Sequence, residues 1–229
     1  MSELCFAAEK GNFEEVLRLL AAGADTKEAQ AGDWTGEKKW TALQHAATRN
    51  HAHIISALLD AGADINAIDE ESNTALMLAI KYNHGLNNNP LASVKLLLER
   101  GADVRIVESD CDWNVLHAAS YYRFAGAVKL LLRHGGYCDE KSNNTSPDRV
   151  WVDLGDYGGL TPLQHAAHSD ALEVAEILLN AGADVNFDCD INRQTPLVIA
   201  TTRRSEEMME LLLARGANCY SVNRMGRTP

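Results

Sequence analysis

Histidines and carboxylates are the residues of this chain that could do acid–base chemistry. His45 and His165 stand in two matching Gln-His-Ala-Ala segments, and Asp153 and Tyr157 lie in a polar stretch near a tryptophan. A histidine within reach of a carboxylate can act as a general acid or base. No serine or cysteine nucleophile lies in a recognised local motif with either histidine. We therefore predict no catalytic residues, and His45, His165 and Asp153 remain polar candidates for a ligand pocket.

The cysteines give no sign of a metal centre or a redox pair. The five residues are scattered along the chain: Cys5, Cys111, Cys138, Cys189 and Cys219. No two are separated by two residues, the spacing that is typical of zinc sites and redox-active pairs. The sequence therefore predicts no metal ligands and no cofactor. Odd, scattered cysteines favour an intracellular, cytoplasmic protein in which they stay reduced.

Aromatic side chains offer a different chemistry, the anchoring of a binding partner. All four tryptophans lie outside the predicted helices: Trp34, Trp40, Trp113 and Trp151. Trp40 and Trp113 immediately precede the equivalent positions Thr41 and Asn114. An exposed tryptophan presents roughly 150–250 Å² of ring surface, and such residues often anchor interfaces. The alternative is packing beneath the adjacent loop, which weighs more for the other two tryptophans, although Trp151 stays a partner-binding candidate.

A unit that recurs along the whole chain must position these residues. Its clearest copy reads Gly159-Leu160-Thr161-Pro162-Leu163-Gln164-His165-Ala166-Ala167 and leads through a second apolar stretch to Gly182-Ala183-Asp184-Val185-Asn186. Thr161 can cap a short helix that Pro162 begins. A second helix is predicted to end at Gly182, because glycine readily takes the left-handed backbone conformation that stops a helix.

This unit resembles the ankyrin repeat, whose hallmark is Thr-Pro-Leu-His-x-Ala-Ala followed by a helix and Gly-Ala-Asp-Val-Asn. The resemblance implies an all-α solenoid of stacked helix-turn-helix units with inter-repeat β-turn or hairpin loops, in a single domain over residues 1–229. Six repeats and the start of another are predicted: 1–25, 36–66, 69–104, 109–138, 156–186, 190–219 and 223–229. Because the last one stops at Thr228-Pro229, we expect a fragment of a longer protein or a terminal repeat reduced to a turn.

The spacing of the repeats locates three insertions. Two lengthen the inter-repeat loops, which we call the first finger (26–40) and the fourth finger (136–160). The third lies between two helices at 83–90 and is rich in asparagine, so we interpret it as a solvated loop. Alternation at Val150-Trp151-Val152 is typical of one strand of a hairpin.

The resemblance implies which positions face a partner. The residue before the cap is variable in the family and faces the concave side, which places Trp40 and Trp113 there. The end of the first helix is a second variable position, and it holds Tyr82, Tyr121 and Tyr122. With Trp151 and Tyr157 of the fourth finger, these complete the predicted partner-binding residues. His117 matches the histidine of the hallmark, which joins neighbouring turns, whereas Gln44 and Gln164 replace it in two repeats.

Charge narrows the partner classes. The chain has 21 basic and 32 acidic residues and a net charge of −11, which disfavours nucleic acid and anionic membranes. The sequence contains no run of about 20 apolar residues, which a membrane-spanning helix would need. Acidic residues around the aromatics of the fourth finger suit a basic peptide.

The sequence thus predicts a protein–protein interaction module, not an enzyme, that binds a protein or basic peptide on a concave, aromatic-rich groove. Two alternatives stay open: a small-molecule binder or enzyme with a pocket under the fingers, and a structural spacer within a larger multidomain protein. A histidine and a carboxylate converging in an enclosed pocket would favour the enzyme, and an open groove would favour the interaction module. The oligomeric state is left open.

Overall fold

The computed structural model describes residues 2–31, 39–82, 91–134, 152–188, 194–221 and 228. Over these residues the chain has twelve α-helices and one two-stranded sheet, so the predicted all-α class is confirmed. Contacts divide the chain into two compact units, Met1–Asp110 and Cys111–Pro229. The repeat boundaries given above stay a prediction, and the two units are described separately.

The first unit contains three consecutive helix pairs. Its helices are α1 (Glu3–Lys10), α2 (Phe13–Ala21), α3 (Ala42–Thr48), α4 (Ala52–Asp60), α5 (Ala75–Lys81) and α6 (Ala92–Glu99). Within each pair the two helices pack on each other, while α1, α3 and α5 form one row and α2, α4 and α6 form a second. Each pair therefore buries its apolar faces against its neighbours, as in a stacked repeat.

The second unit has the same construction. Its helices are α7 (Val115–Tyr121), α8 (Ala125–Arg133), α9 (Pro162–His168), α10 (Leu172–Asn180), α11 (Pro196–Arg203) and α12 (Glu206–Ala214). The row of α7, α9 and α11 packs beside the row of α8, α10 and α12. Leu116, Leu163 and Leu197 recur at one position of the first row and are buried in its core.

Side-chain caps explain where the first helix of each pair begins. In five pairs a cap oxygen accepts a hydrogen bond from a backbone N–H of the first turn: Thr41, Thr74, Asn114, Thr161 and Thr195. Such a cap satisfies a backbone donor that the helix leaves free and stabilises the helix by about 1 kcal/mol. The Thr-Pro openings predicted from the sequence therefore act as helix starts.

Left-handed residues explain where the helices end. The second helices are followed by Gly23, Gly62, Gly101, Gly182 and Gly216, with φ between +83° and +93° and open space around each. Backbone conformation, and not crowding, thus requires glycine at these positions. The first helices also end in this conformation, but there the chain mostly uses other residues, such as Arg123 and Arg204, each with φ of 59°.

The fingers are described in part. The first finger forms a hairpin of β1 (Ala29–Ala31) and β2 (Lys39–Thr41), paired antiparallel with Gln30 opposite Trp40. In the fourth finger Val152 is buried and has helical backbone, so the predicted strand is wrong at that residue. Trp34, Trp151 and the 83–90 insertion lie outside the described residues. No helix in the described ranges is long and apolar enough to cross a membrane.

Candidate partner-binding site

Trp40 is part of the core of the first unit, so its predicted role as an exposed anchor is wrong. Its side chain is 0% exposed, and its indole Nε1 donates a hydrogen bond to Asp69 Oδ2 at 2.9 Å. Its ring also packs edge-on against His45 and Tyr82, with centroids 5.6 and 5.4 Å apart. A buried tryptophan needs an acceptor for its N–H, and the next repeat turn supplies one.

Trp113 makes the equivalent bond in the second unit. Its Nε1 donates to Asp156 Oδ2 at 2.9 Å, but its ring is only half-buried. Asp69 and Asp156 each stand five residues before the next helix cap, and the Oδ1 of each holds its own turn by accepting two backbone N–H groups. The repeat between them has Asn73 in place of the tryptophan, and the turn that follows has Ser109 in place of the aspartate. This pairing of Trp with Asp in the next repeat is the signal that reasoning from single repeats missed.

Four rings of the second unit lie in contact, and we call them the aromatic surface: Trp113, Tyr121, Tyr122 and His168. Tyr121 is at the centre, with its centroid 5.0 Å from Trp113 and 5.3 Å from Tyr122. It stacks on His168 at 6.0 Å with 26° between the planes. The three larger rings are half-buried and His168 is exposed, so part of each ring is accessible to solvent.

His165 and Asp156 converge beneath this surface. His165 is 5% exposed, and its Nε2 donates to Asp156 Oδ2 at 2.9 Å. Its ring packs on Trp113 at 4.7 Å. Burial alone would raise the pKa of Asp156, but hydrogen bonds from His165, the Leu160 N–H and Trp113 outweigh it and hold that pKa below its ordinary value. The carboxylate is therefore ionised, with its oxygens occupied by four donors, and it supports Trp113.

His117 and two glutamines connect each cap to the next turn. His117 Nδ1 accepts from the Asn114 N–H at 3.3 Å, and its Nε2 donates to Leu154 O at 2.8 Å, which confirms the predicted turn-to-turn bond. Burial, then the charge of neighbouring His165, lowers the pKa of His117 to about 4. Gln44 and Gln164 reproduce both bonds, since the amide oxygen accepts from the cap N–H and Nε2 donates to carbonyls of the next repeat.

The other polar candidates also have structural partners. His45 is fully buried, its Nε2 lies 3.0 Å from Gln30 O of the first finger, and burial lowers its pKa. Asp153 Oδ1 accepts a hydrogen bond from the Asp184 N–H at 2.9 Å. These bonds hold the first finger and a repeat turn in place. None of the three candidates lines either of the two cavities considered next.

Two cavities, both in the first unit, have volumes of about 520 and 260 Å³. The larger is lined by Glu3, Phe6, Ala7, Lys10, Asn12 and Glu15, and the smaller by Thr26, Lys27, Thr41, Ala63, Asp64 and Ala67.

Of the remaining partner-binding candidates, Tyr82 is half-buried against Trp40 and Tyr157 is 80% exposed on its turn. Trp151 lies outside the described residues, and so that prediction stays open. No group of three metal-ligating side chains occurs within the described ranges.

Stacked helix pairs with capped turns are typical of a helical repeat protein. In this chain they carry the partly exposed aromatic surface. A model of three ankyrin repeats matches residues 4–106 and 85–189, and a single-repeat model matches 192–224. The chain belongs to the ankyrin-repeat family. Proteins of this family generally mediate protein–protein interaction.

Several known proteins resemble the chain. The chain is 42% identical over 72 residues to "Ankyrin repeat and KH domain-containing protein mask" of Drosophila melanogaster. The match covers 31% of this chain and 2% of that protein. Human Inversin is 32% identical over 114 residues, 50% of this chain and 9% of Inversin. The chain thus spans a small part of these relatives. The crystal structure of the ankyrin repeat domain of Bcl-3 superimposes with a TM-score of 0.76 at 24% identity, covering 100% of this chain and 92% of that one, which shows the fold.

Proposed function

We propose that the chain is a protein-interaction module that binds a protein partner through the aromatic surface of its second unit. The carrying observation is the contact between the half-buried rings of Trp113, Tyr121 and Tyr122, which are supported by the hydrogen bonds of Trp113 and His165 to Asp156. Tyrosine and tryptophan in such a position supply large contact area and lose little side-chain entropy on binding. Tyr157, exposed on the neighbouring turn, extends the proposed surface.

We also propose that the module does no chemistry of its own. His45 lies 3.9 Å from Glu9 in the first unit, and both side chains are only 1% exposed. The second histidine–carboxylate pair, His165 with Asp156, has side chains that are 6% exposed, and its carboxylate is used by two backbone N–H groups and an indole. A general base must reach a substrate proton, and this pair is turned inward. The pair therefore supports the Trp113 ring and does not form an active site.

Two finer proposals concern the partner and the compartment. The expectation of a basic partner rests on acidic residues of the fourth finger, most of which lie outside the described residues, so it stays a prediction. We keep the proposal of an intracellular, cytoplasmic protein, which the free thiols of Cys5 and Cys219 support.

A capture experiment tests the proposed function. The parent chain, a Tyr121→Ala, Tyr122→Ala double variant and a Tyr220→Ala control are each immobilised in a native lysate, and retained proteins are quantified by mass spectrometry. Tyr220 is 83% exposed and is not one of the four rings, so its loss removes a tyrosine without changing the aromatic surface.

The expected partner is retained by the parent and the control and is lost from the double variant. Titration calorimetry with the purified partner should show an affinity reduced by at least about tenfold, since truncating a central aromatic anchor commonly costs 2 kcal/mol or more. Circular dichroism and thermal unfolding check that the variants remain folded. A partner that binds the parent and the folded double variant equally would refute the proposal.

A further inference from the structure

We infer that the partner places an acidic side chain at the Arg203 edge of the aromatic surface, with its carboxylate against the guanidinium group beside His168. This inference rests on the function proposed above and names the chemistry of the partner at one edge of that surface. It also assigns an acidic contact to a chain whose net charge of −11 favours basic partners overall.

Arg203 supplies an exposed positive charge next to the rings. It is the last residue of α11, and its guanidinium nitrogen Nη2 contacts both ring nitrogens of His168. His168 in turn stacks on Tyr121. Among the described residues no carboxylate lies within 4.0 Å of this guanidinium group. Its charge is therefore left for a ligand, and a guanidinium group binds carboxylates through two parallel hydrogen bonds.

The nearby carboxylates of the second unit are bonded elsewhere. Asp156 is buried and accepts bonds from Trp113, His165 and two backbone N–H groups. Asp170, two residues after His168, accepts a hydrogen bond from the Ser205 hydroxyl. Neither carboxylate lies within 4.0 Å of Arg203, so among the described residues its guanidinium group carries an unpaired positive charge at this edge of the aromatic surface.

The titration of His168 agrees with this local field. Burial, followed by the positive charges of Arg203 and His165, lowers the pKa of His168. A basic partner side chain at this edge would meet the same repulsion, whereas a carboxylate would be attracted. The adjoining Tyr121 and Tyr122 rings offer apolar contact to the residues that flank the acidic one. The surface thus fits a segment in which an aspartate or glutamate stands beside large apolar side chains.

Two matched peptides test the inference: Ac-Gly-Phe-Glu-Phe-Gly-amide and the same peptide with lysine in place of glutamate. Each is titrated into the isotope-labelled full chain in 0.15 M salt, which screens long-range repulsion from the acidic chain. NMR shifts of the Tyr121, His168 and Arg203 side chains report binding. We expect the glutamate peptide to bind about fivefold more tightly than the lysine peptide, the difference that one exposed ion pair produces.

Charge reversal provides the internal check. In Arg203→Glu the preference should reverse, whereas Arg215→Glu, whose arginine bonds to Asn180 at 3.0 Å, should leave it unchanged. Equal binding of the two peptides, tighter binding of the lysine peptide, or no shift with either would overturn the inference.

The outcomes separate this inference from the proposed function. If Tyr121→Ala, Tyr122→Ala abolishes binding of both peptides but lysine is preferred, the aromatic surface stands and the acidic contact fails. If binding does not depend on these two tyrosines, both fail. If neither peptide binds, the acidic contact is overturned and the capture experiment alone decides the proposed function.

Discussion

The hydrogen bond from Trp40 to Asp69 should be measurable as a coupling energy in the first unit. Trp40→Phe removes the N–H donor but keeps an aromatic ring in the core. Asp69→Asn keeps the Oδ1 that holds the turn through the Glu71 and Asn73 N–H groups, and it places an NH₂ group where Oδ2 accepted the indole N–H. Both changes therefore remove the bond between Trp40 and Asp69, and Asp69→Asn also removes the bond that Oδ2 accepts from Asn73 Nδ2 at 3.1 Å.

The expected magnitude follows from the burial and charge of this bond. Trp40 is 0% exposed and its acceptor is a carboxylate 2.9 Å away. A hydrogen bond to a charged group contributes about 1.5–3 kcal/mol, and loss of the second ring adds about 1–2 kcal/mol through lost packing. Trp40→Phe should thus lower the free energy of unfolding of the first unit by about 2.5–5 kcal/mol.

A double-mutant cycle isolates the bond from the packing. The Trp40→Phe, Asp69→Asn double variant should be more stable than the sum of the single changes predicts, by about 1.5–3 kcal/mol. Native-state hydrogen exchange of amides in α3 and α5 measures this for the first unit itself, since a repeat array need not unfold in one step. Additivity within about 0.5 kcal/mol would refute the reasoning that this bond holds the two repeats together.

Four further predictions concern buried titratable groups and helix ends. Because the pKa of His117 falls from 6.5 unfolded to about 4 folded, the folded state binds fewer protons between these values. The stability of the second unit should be constant above pH 6.5 and should fall by about 3 kcal/mol between pH 6.5 and 4, as followed by urea unfolding. Arg204→Gly should raise the free energy of unfolding by about 0.5–1 kcal/mol, since relief of left-handed strain exceeds the entropy cost of glycine. Gly11→Ala should lower the free energy of unfolding by about 1–3 kcal/mol, because Gly11 has a φ of +76°. Thermal unfolding measures both changes. Glu9→Met should raise the midpoint of urea unfolding by an amount equivalent to about 1–2 kcal/mol. The Glu9 carboxylate is buried and makes no hydrogen bond within the described part of the chain, and its contacts with Lys10, His45 and Arg49, at 3.7–4.0 Å, are too long to offset its desolvation.

Matched controls make three of these tests specific. His117→Gln should keep both bonds without titrating, as Gln44 and Gln164 do, so a parent and variant with the same pH dependence would contradict the first prediction. At position 204, alanine has the same backbone strain as arginine, and Arg204→Ala should therefore show no gain. Glu14 is exposed, and Glu14→Met should not stabilise the chain. A similar gain there would show that general hydrophobicity was responsible.

The fold could be predicted because its signals are local. Thr161 with Pro162 starts a helix and Gly182 ends one through forces that act within a few residues. Capped starts recur in five of the six helix pairs that the structure describes, whereas α1 begins without a side-chain cap. The position of the tyrosines at the ends of first helices follows from the same register.

The site could be predicted only in part, because its decisive contacts are distant in sequence. Trp40 and Trp113 both stand immediately before a helix cap, yet one is fully buried and the other half-buried. Each donates to an aspartate in the following repeat, 29 residues away for the first and 43 for the second. The inward role of His165 depends on Asp156, which the sequence explains equally well as a simple turn residue. The contribution of Arg203 needs its contact with His168, 35 residues earlier.

Site-specific photo-crosslinking tests the proposed partner surface most directly. A benzophenone side chain replaces Tyr122 in one variant and Phe6 in another, and each is irradiated in native lysate and in complex with any captured partner. Phe6 is 43% exposed in the first unit and so controls for accessibility. We predict one protein crosslinked in high yield from position 122 and not from position 6. Equal crosslinking from both positions, or crosslinking from position 6 alone, would contradict the assignment of partner binding to the aromatic surface.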